Sequence, residues 1–327
     1  MIWSRSHALL SAGLRGRSVV VSSLAAFLDA TSTIGAVGFV DLDRLSELAP
    51  EIPYVPIVAL TNNMLMEMIG ALEEWPWLSH LLATDLLSSP LASPYLAMLM
   101  DELESWPARR IAGVGVGVGG VGRVSLVANS SRRAARVERM CAFFLKQGIS
   151  ERTTALLSDA AEELVANALY DAPFEAGYFK AARPRTENVD LPPNFACEIS
   201  YGVERSNVFL RVRDPFGALS RGRVIRVLER CSKADVVPDE SRGGAGLGLW
   251  RVFSAASTIA ITVVASRLTD ILVGIATKDG PSRAAGKRLL GVHLSFNSNS
   301  DESVQIDEEA LDMSVAISQS GSRSDSD

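Results

Sequence analysis

Leu156-Leu-Ser-Asp-Ala-Ala-Glu-Glu-Leu-Val-Ala-Asn-Ala-Leu-Tyr-Asp171 is the stretch that organises the reading of the chain. Wound as a helix, it sorts into rows four residues apart. Leu156, Ala160, Leu164 and Ala168 form one apolar row, and Leu157, Ala161, Val165 and Leu169 form the row beside it. Together they make a buried face. A third row, Asp159, Glu163, Asn167 and Asp171, runs along its edge. Such a polar row can be a solvated border, or it can point functional groups at a ligand. Its neighbours in the sequence decide between the two.

Before it, Val124–Ala128 predicts a short strand, and residues ~130–147 predict a helix closed by Gly148. Ser150 caps the helix over ~151–171. After it, Cys197, Ile199 and Tyr201 alternate with polar residues, as do Val208, Leu210 and Val212, which predicts a strand pair. The second strand runs into Asp214-Pro-Phe-Gly217, a carboxylate at a strand's C-terminal end. A polar segment (219–242) leads to Gly243-Gly-Ala-Gly-Leu-Gly-Leu249 at the start of a helix (~247–257). Glycines there let the backbone approach phosphates, and a helix start offers free N–H groups to an anion. Strands near 258–265, 270–277 and 289–296 complete this half.

Glu163-x-x-x-Asn167-Ala168 on a helix, Asp214 after a strand, and Gly244-x-Gly246-Leu247-Gly248-Leu249 opening a helix resemble, in order and spacing, the N, G1 and G2 boxes of GHKL ATPases. The lead-in of strand, helix and N-box helix is most similar to the anti-sigma-factor serine kinases. The resemblance covers residues 123–297 and implies a Bergerat-type α/β sandwich binding ATP and Mg²⁺. It implies that Asn167 ligates the metal, Glu163 acts as general base, and Asp214 accepts the adenine amino hydrogen. Gly217, Gly244, Gly246, Leu247 and Gly248 would line the nucleotide, with Arg242 of the lid beside the phosphates. The implied activity is a serine/threonine kinase or ATPase acting on a protein partner, a sigma-factor regulator or another signalling protein. The alternative is a catalytically silent interaction module. One departure favours the alternative: the family's Asp-x-Gly-x-Gly has Phe216 and Ala218 at its glycine positions, and Pro215 fixes φ in the turn.

Two glycine patterns are set aside. Gly117-Val-Gly-Gly-Val-Gly122 matches a dinucleotide fingerprint, but a strand-like segment follows where a helix is needed. Gly286-Lys287 lacks the spacing and the Ser/Thr of a phosphate-binding loop.

Residues 17–105 alternate apolar runs (Ser18–Ser22, Ala36–Val40, Val55–Leu60) with helical patterns (Leu24–Ala30, Leu42–Leu48, Met64–Glu73, Pro94–Glu104), the signature of a parallel αβ sheet. This half resembles a degenerate response-regulator receiver. Phe39-Val-Asp41 stands where a phosphorylated Asp would be, and Ala59-Leu-Thr61 resembles the switch strand. Ser22-Ser23 replaces the acidic pair, and without that pair there is no Mg²⁺ site to aid phosphoryl transfer. The histidines, His7, His80 and His293, precede no ATP domain in a helical hairpin, so a histidine phosphoacceptor is not expected.

The expected organisation is therefore α/β and α+β. It comprises an extension (1–16), a receiver-like domain (17–105), a Gly-rich linker (106–122), the ATP-binding domain (123–297) and a tail (298–327). The tail holds eight acids and one arginine, so it carries the whole of the net charge of −6 and leaves the body at +1. It is expected to be disordered. A near-neutral body gives no footprint for nucleic acid. Cys141, Cys197 and Cys231 are odd in number and lack metal spacing, so neither a disulfide framework nor zinc is expected. No stretch reaches the ~18–20 uncharged apolar residues of a membrane helix. Asp29 ends the apolar run Val19–Leu28 without a cleavage site, so the chain reads as cytoplasmic. Self-association into a homodimer is compatible with all of this.

Overall fold

The computed structural model describes residues 1–14, 18–32, 36–48, 55–63, 65–88, 92–104, 121–204, 207–233, 249, 252–277 and 289–297. In its N-terminal half the strands are short and buried on both faces, as strands covered on two sides are. They are Ile2–Trp3 (β1), Gly38–Asp41 (β2), Ile57–Thr61 (β3) and His80–Ala83 (β4). They pair in parallel, in that order. The helices of this half are His7–Gly13 (α1), Leu24–Thr31 (α2), Leu45–Leu48 (α3), Ala71–Glu74 (α4), Thr84–Leu87 (α5) and Ala92–Glu104 (α6).

Three expectations are corrected here. Ser18–Ser22 is not a buried strand: it contributes one bridge, Val20 to Ile2, and Val19 and Val20 stay exposed. The first strand is Ile2–Trp3, within the stretch expected to be an extension, because Ile2 and Trp3 bury fully against the α2 side, where Trp3 meets Phe27. The helical pattern of Met64–Glu73 is divided between a 3₁₀ turn at Leu65–Met68 and α4.

The C-terminal half comprises Val121–Val127 (β5), Arg133–Lys146 (α7), Glu151–Ala166 (α8), Ala172–Glu175 (α9), Cys197–Glu204 (β6), Asn207–Asp214 (β7), Arg221–Lys233 (α10), Thr258–Val264 (β8), Leu268–Ala276 (β9) and Gly291–Asn297 (β10). Its sheet is mixed: β5 to β9 pair antiparallel along the order β5-β6-β7-β9-β8, and β10 adds in parallel to β8. Ser150 caps α8, accepting from the Thr153 N–H at 3.2 Å, and Gly148 turns the preceding chain at φ +78°. Both predicted apolar rows of α8 face the core, with Leu157, Ala161 and Leu169 fully buried. Burying a leucine or valine this way contributes up to roughly 1.5–3 kcal/mol each.

The two halves share one ten-stranded sheet, in the order β1-β2-β3-β4-β10-β8-β9-β7-β6-β5. The seam is the antiparallel pair β4–β10, where His80 stands opposite His293. Their Nδ1 atoms are 3.3 Å apart, and the Tyr95 hydroxyl from α6 meets Nε2 of His293. Burial holds His80 down at about 4 and His293 well below the ordinary imidazole value, so both stay neutral. A second link is made by α10, which packs on α4. There the Arg221 guanidinium donates to the Leu72 and Leu78 carbonyls, at 2.8 Å each. Asp41 is likewise engaged. Its carboxylate accepts from Ser4 Oγ at 2.6 Å and from the Arg5 N–H at 2.9 Å, and it pairs with Arg5 Nε at 3.0 Å.

Candidate functional site

Strand residues alternate faces. Val212 and Ile271 point toward α8, whereas Arg211, Arg213 and Asp270 point the other way. On that far face Asp270 holds Arg211 at 2.6 Å and Arg213 at 3.0 Å, and the two arginines keep its carboxyl below the usual range despite burial. On the near face, between α8–α9 and the strands β7 and β9, lies a small cleft. Val212 and Ile271 form its floor, Asn167 and Asp171 one wall, and Asp214 one end.

Asn167 sits where α8 changes register. Asn167–Asp171 is a π-helical turn between α8 and α9, a widening that recurs at functional sites. Glu163 lies one turn earlier and does not line the cleft. Glu163, Asn167 and Asp171 of the predicted polar row all meet one side chain that the sequence reading missed, Arg185. Its Nη1 donates to Glu163 Oε2 at 2.8 Å; its Nη2 donates to Glu163 Oε1 at 3.2 Å, Asn167 Oδ1 at 2.7 Å and Asp171 Oδ2 at 2.9 Å. Burial lowers the guanidinium's pKa, but Glu163 and Asp171 more than offset this and hold it above its usual value. No local pattern around Ala182-Arg-Pro-Arg185-Thr points to this contact, which spans 22 residues to Glu163.

Asp214 is buried at the end of β7 and accepts the Phe216 N–H at 2.9 Å. Desolvation pushes its carboxyl up to about 7, although the Phe216 and Gly217 N–H groups pull it back. Gly217 has φ +58°, and a Cβ there would stand 2.0 Å from the Val264 carbonyl oxygen, so this glycine is required by the β8–β9 turn behind it. Phe216 turns away into an aromatic cluster, stacked on Phe195 at 5.4 Å between centroids. At a position where the resemblance implies a glycine, the chain thus carries a side chain that anchors the turn. Leu249 is buried in the cleft wall. Gly244, Gly246, Leu247, Gly248 and Arg242, together with 106–120 and 298–327, lie outside the described residues. From α10, Arg223 lines the cleft and pairs with Glu175, bridging α10 to α9.

The donors on this wall are oxygens, the type a hard divalent ion takes. Asn167 Oδ1, however, is already occupied by Arg185, so as arranged these residues do not fit a Mg²⁺ ion at that atom. Among the described residues no three His, Cys, Asp or Glu side chains group into a metal site, and the three cysteines form no disulfide. Among the same residues no helix is long and apolar enough to cross a membrane. Comparison with protein-family models gives no match, and comparison with curated proteins gives none either.

Proposed function

We propose that the chain is an ATP-binding signalling protein related in plan to the anti-sigma-factor serine kinases, acting on a protein partner. The observation that carries this is convergence. Asn167, Asp214 and Leu249, drawn from three motifs spread over more than 80 residues of sequence, line one cleft. A purely structural polar row would have no reason to share a cleft with a buried carboxylate from the end of β7. In this reading Asp214 accepts the adenine amino hydrogen and the apolar floor of Val212 and Ile271 holds the ring. Arg223 turns from Glu175 toward the phosphates, and α10 connects the site to the N-terminal half through Arg221. Glu163 would take the proton from a partner's Ser/Thr hydroxyl once freed from Arg185.

The second reading, a silent interaction module on the same scaffold, has its own support: Arg185 forks onto Glu163 and occupies Asn167. Calorimetry of ATP against the full chain separates the two. Binding below millimolar, weakened at least tenfold (about 1.4 kcal/mol) by Asp214→Asn, is expected. No heat of binding at millimolar ATP would leave the silent module.

A further inference from the structure

We propose that Arg185 is the resident cation at Asn167, held behind the cleft wall that Asn167 and Asp171 form. It takes the place at Asn167 that a divalent ion would otherwise hold, so nucleotide binding by the intact protein does not depend on Mg²⁺. This rests on the nucleotide reading of the cleft. The guanidinium fork satisfies both oxygens of Glu163, and one of its nitrogens is shared among Glu163, Asn167 and Asp171. With Mg–O near 2.1 Å and this N–O at 2.7 Å, a metal at Asn167 Oδ1 would stand no farther than about 4.8 Å from the guanidinium nitrogen. Two cations that close repel strongly in a half-buried site. The two therefore compete for one position. Arginine is the stronger incumbent, because it cannot lose its proton and its planar fork matches a carboxylate in two contacts.

The position is built into the fold. The segment carrying Arg185 is pinned just beyond it. Tyr170 Oη donates to the Glu187 carbonyl at 2.7 Å, the Val189 N–H to Ser130 Oγ at 2.9 Å, and the Leu191 N–H to the Ala128 carbonyl at 2.9 Å. Tyr170 belongs to the same π turn as Asn167. The widened turn thus holds both the amide oxygen and the loop that delivers the arginine. A side chain drawn to two acids by chance at the surface would lack that scaffold.

The test is ATP calorimetry on the full chain, in excess Mg²⁺ and in EDTA, for wild type and Arg185→Ala. Wild-type affinities in the two buffers are expected to agree within about threefold, and the variant is expected to bind at least tenfold more tightly with Mg²⁺ than without. If the alanine variant does not fold, Arg185→Met keeps the stem and drops the charge. A tenfold loss of wild-type affinity in EDTA overturns the proposal, as does a variant that stays indifferent to Mg²⁺. If neither protein binds ATP, the nucleotide reading falls separately, and Mn²⁺ titration without nucleotide, followed by electron paramagnetic resonance, then judges Arg185. Tighter Mn²⁺ binding by the variant than by wild type sustains its role as the competing cation, and equal binding overturns it.

Discussion

Asp214 shows what burying a single carboxyl costs a fold. Its carboxyl is pushed up from 3.8 to about 7, chiefly by desolvation. The folded protein therefore keeps a proton that the unfolded chain releases from about pH 4 upward. Stability then falls as pH rises through that window, at up to about 1.4 kcal/mol per pH unit, and levels off above pH 7. Asp214→Asn is expected to flatten this slope in denaturant titrations between pH 4 and 7 and to be more stable than wild type at pH 8. An unchanged slope would show that the carboxyl is not desolvated. At Glu163 the expectation concerns rate. Glu163→Gln keeps size and reach but cannot take a proton, so phosphoryl transfer to a partner, or slow ATP hydrolysis, should drop ~10²–10⁴-fold with binding nearly unchanged. Equal turnover in both proteins would remove Glu163 from the mechanism.

Among the elements, β7 and β9 do two jobs on two faces. Toward α8 they offer Val212 and Ile271 to the cleft; on the far face their Arg211, Arg213 and Asp270 form a buried ion cluster. The cluster ties the strands that carry Asp214 and its cross-strand partner Thr269. Removing one partner of a buried pair leaves charge uncompensated, typically costing about 3–5 kcal/mol. Asp270→Ala, which leaves two arginines without their shared carboxylate, is expected to lower the unfolding free energy by an amount in that range, measured by denaturant titration. A change under about 1 kcal/mol would mean that solvent reaches the cluster and screens it. The α8 sequence was legible because its two apolar rows repeat every four residues. The π turn that ends it was not, since nothing in the local pattern marks it, and the arginine that bonds to Asn167 and Asp171 lies 18 and 14 residues further along the chain.

At the scale of the molecule, the sheet crosses the boundary that composition suggests. The β4–β10 seam buries His80 against His293, and both prefer to be neutral in the fold. Unfolding frees two imidazoles that titrate normally, so this contribution is fully present above about pH 6.5 and is lost as pH falls toward about 4. The seam should therefore weaken in acid, opposite in sign to Asp214. His80→Asn is expected to reduce the loss of stability between pH 6.5 and 4.5, read as a shallower change of midpoint in denaturant titrations. An identical pH profile would show that the seam does not feel protonation. The same continuity makes the full chain the right object for binding work, since an excised C-terminal half would expose the edge of β10.

By itself the sequence determined the elements whose periodicity is local. These are the span of α7, the apolar rows of α8, the alternation of β6 and β7, the cap at Ser150 and the turn at Gly148. It also singled out Asn167 and Asp214, through the order and spacing of the motifs that hold them, and the fold brings both to one cleft. Tertiary structure decided what depends on distant partners: Ile2–Trp3 as the edge strand where Ser18–Ser22 was expected, the His80–His293 seam, and the arginine on Glu163 and Asn167. A strand of two residues such as Ile2–Trp3 carries too little pattern to be read, and a guanidinium finds its carboxylates only after the backbone has brought them together. The physical division is between free energy stored in spacing along the chain and free energy that exists only across the folded gap.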